Sequence, residues 1–454
     1  MLLNKKVFAV SILTSIISSN VNAAGFALIE NGASGLGNAY AGASAVAEDA
    51  STTYFNPAGL SKLEGQQYIL AGHYISTNAK FSNNASTNAA GGVLSGANAD
   101  GGGGSFVPSF FYANKLNDKW TYGVGITVPF GLGTEYDENW VGRYHAVKSE
   151  IHTLNINPSA SYKVNDKFSV GFGISAQQIE ATLGNKLDSA AICNGAPLGG
   201  LGGACGAFGV TTANIGNAAF DSSQTLTGDD WSFGWNFGLL YDISDTTRVG
   251  LAYRSQVEHT LEGNVDFTIN SSFRSALDAA ALTALFTDSA ISAGLTVPES
   301  LSVSLSHNMN NKWQILADVT WMKWERYDKL VVDFANPAQP NSTSTPNYQN
   351  QLRYSVGATF KADSKKSYRM GLALDESAVR NADIRTARSP GNDRLWLAFG
   401  FSYQTSDTMG FDIGYTHLFI DDTPINNTQA GKGTLTGTYD QSVDILSAQL
   451  NWKY

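Results

Sequence analysis

The chain has 454 residues, which is long enough for two or three soluble domains or for one large β-barrel. Only 15% of these residues are charged, compared with roughly 25% in a typical soluble domain. The net charge of −10 argues against nucleic acid as a partner, because nucleic-acid-binding proteins carry basic surfaces that meet the phosphates. Glycine is abundant, with 46 residues, and it favours turns, bends and tightly packed strands over helices.

The first 23 residues have the organisation of a secretory signal peptide. Lys5 and Lys6 form a basic start, and the apolar run 7–17 that follows is too short to cross a bilayer. Val21-Asn22-Ala23 provides small residues at the positions that signal peptidase recognises, so we predict cleavage after Ala23 and a signal peptide at residues 1–23. Removal of Lys5 and Lys6 with it gives the mature chain a net charge of −12. The mature chain contains no apolar run of about 18 residues, so it can span a membrane only as a closed barrel.

Residues 24–62 lack the alternation of strands and are rich in Gly and Ala. The segment is too long and too apolar for a simple tail, and we predict that it forms a plug, or hatch, inside the barrel. A periplasmic extension is the alternative. Within the hatch, Pro57 fixes its own backbone angle and restricts Asn56, so Asn56-Pro57-Ala58 is expected to form a rigid corner with a gating role. An ordinary Asn-Pro turn is the alternative for this trio.

Residues 63–454 show repeated period-2 alternation of apolar and polar side chains. In the last strand, Leu446 and Leu450 lie on one face, whereas Ser447 and Gln449 lie on the other. A soluble sandwich would need an apolar inner face, but the second face here is polar, which suits a wall that meets lipid outside and an aqueous lumen inside. We therefore predict an all-β fold, a transmembrane antiparallel β-barrel, over residues 63–454.

The connections between strands alternate between short polar turns and long segments rich in Gly, Ser and Asn. Asn117-Asp118 and Asn165-Asp166 are two of the short turns, whereas residues 181–228 and 258–297 are two of the long segments. Short periplasmic turns and long external loops are typical of bacterial outer-membrane barrels. The count predicts about fourteen strands, both termini in the periplasm and localisation in the outer membrane.

Two external loops have features of their own. Cys193 and Cys205 are the two cysteines of the chain, and an oxidising compartment favours a disulfide between them. A metal site would need more ligands, and no histidine lies near them in sequence, so we predict no metal centre. Ser271 to Ala293 has apolar residues at helical spacing, which predicts an amphipathic helix that either packs on its neighbours or collects hydrophobic ligand.

The sequence contains no recognisable catalytic motif. The six histidines are scattered, and there is no HExxH sequence, no GxSxG elbow and no phosphate-binding loop. We therefore predict that the protein is not an enzyme and needs no cofactor. A barrel lipase, whose Ser/His pair would not be visible from spacing, is the alternative.

A set of short motifs spans the mature chain: Ala24-Gly25-Phe26, Ser34-Gly35-Leu36-Gly37-Asn38-Ala39-Tyr40, Asp49-Ala50, Asn56-Pro57-Ala58, Trp231-Ser232-Phe233-Gly234-Trp235-Asn236, Tyr253-Arg254-Ser255 and Asp393-Arg394-Leu395-Trp396-Leu397. Together they resemble the FadL family of outer-membrane long-chain fatty acid transporters. The resemblance covers essentially the whole mature chain and is weakest in the external loops. It implies a fourteen-stranded barrel closed by an N-terminal hatch, present as a monomer in outer-membrane lipid.

The resemblance also implies a transport route. Ligand binds in an external hydrophobic groove, passes a tighter site and leaves laterally through a gap made by a kink in the third strand. In this sequence the third strand is Trp120 to Pro129, where Gly123, Gly125 and Pro129 would permit the kink, because Pro removes a ladder donor and Gly bends readily. A packing role of the glycines towards the lumen is the alternative.

An amphiphilic ligand needs an apolar passage and a few cations for its carboxylate. Strand alternation predicts that Arg254, Arg353 and Arg394 point inwards as candidate ligand contacts, with wall-stabilising ion pairs as the alternative. Where the family's ligand-contacting cations are expected, the chain has Gln177, Gln178, Glu180, Tyr348 and Gln349. We predict passive uptake of long-chain fatty acids or other hydrophobic compounds. An aromatic-hydrocarbon channel of the same family and a general porin are the alternatives.

Overall fold

The computed structural model describes residues 25–195 and 201–454. The predicted signal peptide and its cleavage point lie outside these residues. Within them, no helix combines the length and apolar character needed to cross a membrane.

Strands dominate the chain. Their bounds are β1 Gln66–Asn83, β2 Ala99–Asp100, β3 Gly104–Lys115, β4 Trp120–Thr127, β5 Gly131–Glu135, β6 Lys148–Lys163, β7 Phe168–Asp188, β8 Asp221–Ser244, β9 Thr247–Arg254, β10 Val257–Thr268, β11 Ser289–Val297, β12 Ser300–Asn308, β13 Trp313–Met322, β14 Leu330–Phe334, β15 Ser342–Ser344, β16 Gln351–Lys361, β17 Lys366–Asp375, β18 Arg394–Gln404, β19 Met409–Ile420, β20 Thr423–Gln429 and β21 Gly433–Lys453.

Fourteen of these strands close into a barrel in which every neighbouring pair is antiparallel. Going round the wall, the order is β1, β3, β4, β6, β7, β8, β9, β12, β13, β16, β17, β18, β19 and β21. The last strand pairs with the first along Gln67–Asn83, which leaves no open edge in the wall. The predicted barrel and its strand number are confirmed.

The wall is apolar outside and polar inside, as the alternation predicts. In β21, Leu446 is 56% exposed on the outer surface, whereas Ser447 and Gln449 are each 1% exposed on the inner side. The outer face can contact lipid because the backbone polar groups are paired within the sheet. The remaining short strands extend this wall into the loops.

Short turns lie at one end of the barrel, together with both ends of the wall. Gln66 donates its backbone N–H to the carbonyl of Tyr454 over 2.9 Å, and Lys115, before the first short turn, bonds to Gly65 over 3.0 Å. The long connections lie at the other end. This is the arrangement that the alternation of short and long connections predicts.

The described residues contain six short α-helices outside the wall ladder: α1 Ala33–Leu36, α2 Ala43–Val46, α3 Thr52–Phe55, α4 Ser189–Asn194, α5 Gly202–Ala207 and α6 Ser271–Ala279. The predicted helix from Ser271 to Ala293 is therefore right at its start and wrong in its extent. Ala281 and Phe286 adopt left-handed backbone angles, which end the helix. From Ser289 onwards the chain forms strand β11, which pairs with β10 and continues the sheet beyond the ring of fourteen strands.

Candidate functional site

The N-terminal segment, residues 25–62, lies inside the barrel and contacts the wall on several sides. We call it the hatch. The backbone N–H of Ser44 donates to the Ser304 hydroxyl on β12 over 3.1 Å, and the Asn38 side chain donates to the carbonyl of Ala358 on β16 over 3.0 Å. Strands β12 and β16 are separated only by β13, so these two contacts fix the hatch against one side of the wall.

Glycines in the wall make this close approach possible. A methyl group at any of five inward positions would clash with hatch backbone or with the Asn56 side chain: Gly171, Gly238, Gly250, Gly371 and Gly400. We call this set the wall glycines. A strand glycine that admits another segment of backbone is a recognised use of the residue. The abundance of glycine in the sequence therefore has a structural reason at these five positions.

The Asn56-Pro57-Ala58 corner is tied to the wall. The Asn56 side-chain oxygen accepts from the Ala58 N–H over 3.0 Å, and its amide nitrogen donates to the carbonyls of Ser44 over 2.6 Å and Leu239 over 2.9 Å. Pro57 then begins a 3-10 helix that runs to Lys62. The amide thus links the corner, an earlier turn of the hatch and strand β8.

Two groups of charged side chains hold the hatch near the short turns. Arg369 of β17 bonds to Glu48 of the hatch over 2.9 Å and to Asp412 of β19 over 3.0 Å. Lys62 bonds to Asp242 of β8, which also pairs with an arginine of β9. The pKa of Glu48 lies below its usual value because of the positive charge of Arg369. Inward arginines that stabilise the wall do exist, therefore, but sequence analysis did not single them out.

The third wall strand is broken. β4 ends at Thr127 and β5 starts at Gly131, and three residues between them face only two residues of β6. This is a one-residue bulge, which bends a strand and ends its regular pairing. The Thr153 hydroxyl replaces part of the ladder, since it accepts from the Phe130 N–H over 3.0 Å and donates to the Phe130 carbonyl over 2.6 Å.

The break also shortens the pairing between β3 and β4. Their ladder stops at Phe110 and Ile126, so residues 104–109 of β3 pair with β1 and, within the part of the chain that the structure describes, have no strand partner on the β4 side. Of the three residues in the kink prediction, Pro129 lies within this break. Gly123 and Gly125 lie in regular ladder, where their missing side chains make room for Thr53 of the hatch and Phe111 of β3. The kink as an exit for ligand stays a prediction.

The start of the hatch packs against the break. The Leu28 N–H donates to the Pro129 carbonyl and the Gly131 N–H donates to the Phe26 carbonyl, both over 2.8 Å. The Phe26 ring lies edge-on to Phe130, with centroids 5.9 Å apart. It also meets the rings of Trp324 at 4.8 Å and Tyr327 at 5.5 Å. Hatch backbone therefore supplies hydrogen bonds at the point where the wall ladder lacks them.

A cavity lies between the hatch, the break and the opposite wall. It holds about 1280 Å³ of atom-free space, its open mouth included. Apolar side chains of the hatch and wall line much of it, among them Leu28, Ile29, Phe55, Ile75, Phe130, Met322, Trp396, Leu418, Val443 and Ile445. Pro57 of the hatch corner and Pro129 of the break also reach it.

All three arginines predicted from strand alternation line this one cavity. Arg254 donates to the Tyr54 carbonyl over 2.9 Å and lies over the Tyr54 ring at 4.4 Å. Arg353 donates to the Ala39 carbonyl over 2.8 Å and lies 4.8 Å from the Trp396 ring. None of the three forms a salt bridge with a described residue.

Two of these arginines are nearly buried and have unused hydrogen-bond donors. Arg353 is 6% exposed and Arg394 is 4% exposed. Nε and Nη1 of Arg353 and Nε and Nη2 of Arg394 have no hydrogen-bond partner among the described residues. Buried charged groups are normally paired, because an unpaired one is costly to bury. The open donors therefore mark a place where an anion would be stabilised.

A model of the outer membrane transport protein family OMPP1/FadL/TodX matches residues 14–454. The chain belongs to this family. The family resemblance predicted from the motifs is confirmed, and so is localisation in the outer membrane.

Two relatives align with this chain over almost their whole length. A putative outer membrane protein of Neisseria meningitidis serogroup B is 30% identical over 469 residues, which is 97% of this chain and 97% of the relative. A long-chain fatty acid transport protein of Escherichia coli O6:H1 is 28% identical over 422 residues, with 90% of each chain covered. The named relatives are transport proteins rather than enzymes.

Solved structures share the FadL/TodX fold. A Pseudomonas aeruginosa FadL homologue superimposes with a TM-score of 0.84 and 23% identity over 94% of this chain and 99% of the homologue. The Ralstonia pickettii toluene transporter superimposes with a TM-score of 0.66 and 19% identity over 93% of this chain and 98% of the transporter. At these identities the likeness shows the fold.

The positions where FadL-family cations were expected have other roles here. The side-chain oxygen of Gln177 lies 3.1 Å from Nε2 of buried His259 and can only accept from it, and Nδ1 of the same histidine lies 2.9 Å from Asp230. Tyr348 packs against Trp324, with ring centroids 5.9 Å apart. These residues therefore belong to polar and aromatic packing in the family barrel, and the free cations of the cavity lie on β9, β16 and β18 instead.

The external helices form a separate lobe of this family member. The structure joins Cys193 to Cys205, with Cα atoms 6.1 Å apart, within the normal range for a disulfide. Both cysteines pack with Phe273, Ala276 and Leu277 of α6 in one buried cluster. We call this cluster and its helices α4, α5 and α6 the external lobe. The amphipathic face of α6 packs on its neighbours, which was one of the two alternatives.

Sequence analysis missed one charged residue of the cavity that comes from the hatch. Glu30 is 4% exposed and lines the cavity together with the arginines. Burial raises the pKa of its carboxyl to about 7, and the positive charges of Arg353 and Arg394 oppose that rise. The hatch has no strand alternation, so nothing in the sequence told which of its side chains faces the cavity.

Proposed function

We propose that the protein mediates passive uptake of long-chain fatty acids and similar hydrophobic compounds across the outer membrane. The ligand binds in an external hydrophobic groove, enters the cavity and leaves sideways through the break between β3 and β5. The observation that carries this proposal is the pair of buried, unpaired arginines, Arg353 and Arg394, in an otherwise largely apolar cavity.

The chemistry of the cavity suits an amphiphile. A hydrocarbon chain would contact the apolar lining, and a carboxylate would accept charge-assisted hydrogen bonds from the open guanidinium donors. The break supports lateral release, because residues 104–109 have no strand partner on that side in the described chain. The hatch contacts several strands on the inner side of the wall, which favours a plugged barrel over a general porin. The E. coli relative named as a long-chain fatty acid transport protein also supports the proposal.

Uptake of aromatic hydrocarbons is the second candidate. The rings of Phe26, Phe130, Trp324, Tyr327 and Tyr348 form one contact network beside the break. Such a network can bind an aromatic ring edge-to-face. The likeness to the toluene transporter supports this candidate only through the shared fold.

Uptake by cells that lack their own fatty acid transporter tests the proposal. Cells that express the wild type should take up labelled oleate, and the double substitution Arg353→Ala, Arg394→Ala should reduce uptake about tenfold or more, since it removes charge-assisted hydrogen bonds of roughly 1.5–3 kcal/mol. Arg380→Ala is the matched control, because Arg380 is exposed and lies outside the cavity. Equal uptake by the double variant and the control would contradict the proposal.

A further inference from the structure

The charged residues that line the cavity are balanced in number. Three are the arginines Arg254, Arg353 and Arg394, and three are the acids Glu30, Asp318 and Asp375. The wall contributes five of the six, from strands β9, β13, β16, β17 and β18, and the hatch contributes only Glu30. The charge of the cavity therefore depends on the protonation of these acids.

Two of the three acids are held in place by wall donors. Asp318 accepts from the hydroxyls of Ser302 and Thr320, each over 2.7 Å. Asp375 accepts from the amide of Gln351 over 2.5 Å. Both wall carboxyls therefore have hydrogen-bond donors on neighbouring wall side chains.

Glu30 differs from both wall acids. Its carboxylate forms no salt bridge and no side-chain hydrogen bond with any described residue, although it lies near Arg353 and Arg394. The other titratable groups that influence it are Asp375 of β17 and the hatch tyrosines Tyr40 and Tyr54, which lie close enough to feel its charge. Burial raises the pKa of Glu30 to about 7, so its carboxyl titrates near neutral pH.

The two states of Glu30 give the cavity different charges. With Glu30 ionised, three guanidinium groups face three carboxylates and the net charge is zero. With Glu30 protonated, one positive charge remains uncompensated, next to the unused donors of Arg353 and Arg394. A monoanionic head group then balances the cavity, whereas an ionised Glu30 would repel it.

We propose that Glu30 is a specificity-determining residue that sets the charge of the ligand which the cavity accepts. This inference rests on the proposed function. Protonated Glu30 admits an anionic head group to Arg353 and Arg394, and ionised Glu30 favours an uncharged ligand of the same shape. Binding of an anion is accompanied by uptake of a proton at Glu30, because each stabilises the other.

Calorimetric binding to the purified barrel in lipid nanodiscs tests the inference with two probes. Decyl sulfonate carries a charge that does not titrate, and decanol is uncharged. For the wild type, the affinity for decyl sulfonate should rise about fivefold between pH 8 and pH 6, as expected if anion binding raises the pKa of Glu30 by about one unit from its value of about 7. The affinity for decanol should stay constant over the same range.

Two variants test whether the pH dependence of decyl sulfonate binding comes from Glu30 or from another titratable group. Glu30→Gln mimics the protonated acid, so it should bind decyl sulfonate at pH 8 as tightly as the wild type does at pH 6 and should lose the pH dependence. Glu64→Gln is the matched control, because Glu64 is 79% exposed at its side chain and pairs with Lys115 outside the cavity. A Glu30→Gln variant that keeps the wild-type pH dependence would overturn the inference.

Proton uptake gives a readout that does not depend on a variant. The heat of decyl sulfonate binding to the wild type at pH 7.5, measured in two buffers with different ionisation enthalpies, should reveal net proton uptake. Its absence would also overturn the inference. If both probes bind, but Glu30→Gln keeps the pH dependence of decyl sulfonate affinity and the binding heat is the same in both buffers, only the role of Glu30 fails. If neither probe binds at any pH, the proposed function fails, and the role of Glu30 fails with it.

Discussion

At the scale of single residues, the position of the hatch depends on glycines in the wall as well as on the polar side chains of the hatch itself. Asn56 makes three hydrogen bonds, and Gly238 is the wall residue that leaves room for its side chain. The Asn56-Pro57-Ala58 corner is therefore held by the hydrogen bonds of the Asn56 amide, which fits against the wall because Gly238 has no Cβ. Loss of either partner should loosen the hatch without disturbing the pairing of the wall strands.

Substitution of Asn56 tests this match. Asn56→Ala leaves the carbonyls of Ser44 and Leu239 without this donor, at a cost of about 1–3 kcal/mol, and should lower uptake of a hydrophobic ligand while the barrel stays folded. Gly238→Ala should have the same effect through steric clash. The measurement is ligand uptake, together with the heat-dependent gel migration of the barrel. Asn165→Ala, in an exposed turn, is the control, and full uptake by Asn56→Ala would indicate an ordinary turn with no gating role.

Sequence reasoning reached some of these residues and not others. The alternation of β9, β16 and β18 was sufficient to place Arg254, Arg353 and Arg394 on the inner face, because each strand has a period of two. Whether an inward arginine is paired depends on residues far away in sequence. Arg369 and Arg353 have the same pattern, yet Arg369 forms salt bridges with Glu48 and Asp412, whereas Arg353 forms no salt bridge with a described residue.

At the scale of elements, the third strand and the external lobe show two different limits of prediction. Pro129 marks the broken strand, but the position of the bulge follows from the register against β6, which the sequence does not contain. In the lobe, helical periodicity identified the start of α6. It could not identify the end, because Ser289–Val297 was recruited as a strand by pairing with β10.

The disulfide of the external lobe gives a prediction at this scale. A bond that closes a loop with a sequence separation of 12 should stabilise the lobe by about 2–3 kcal/mol through the entropy of the unfolded loop. Intact protein purified from the outer membrane should therefore show no free thiol by mass spectrometry. In Cys193→Ser, Cys205→Ser, limited proteolysis should cut the lobe faster while the barrel resists.

The integrity of the barrel wall is the control for the proteolysis of the double cysteine variant. The wall strands form an uninterrupted ring of pairings that does not involve the lobe, so barrel migration on gels should not change. Two free thiols in the wild-type protein would contradict the disulfide. Equal proteolysis of both proteins would show that the packing of α6 alone holds the lobe.

At the scale of the whole molecule, backbone hydrogen bonding determines where the wall is closed and where it is interrupted. Lipid demands a closed wall, since an open strand edge would leave unpaired backbone groups in hydrocarbon. The wall nevertheless relaxes at the break, where Thr153 and the Phe26–Leu28 backbone supply the missing hydrogen bonds.

The fold at this scale was largely predictable, because the absence of a long apolar run excluded membrane-spanning helices and alternation defined the strands. The cavity was not predictable, since it is enclosed by residues from the hatch and from strands on both sides of the lumen. Its apolar lining and its free guanidinium groups come together only when the barrel closes. Ligand chemistry thus follows from the closed molecule rather than from any one motif.

A crystal structure of the protein with a long-chain fatty acid that carries bromine at its terminal carbon tests the central claim most directly. The account predicts an anomalous bromine peak among the apolar residues of the cavity and a carboxylate within hydrogen-bond distance of Arg353 or Arg394. Crystals with brominated alkane provide the control for binding by the hydrocarbon chain alone. A fatty acid bound only at the external lobe or the outer wall, with both guanidinium groups still unpaired, would contradict the account.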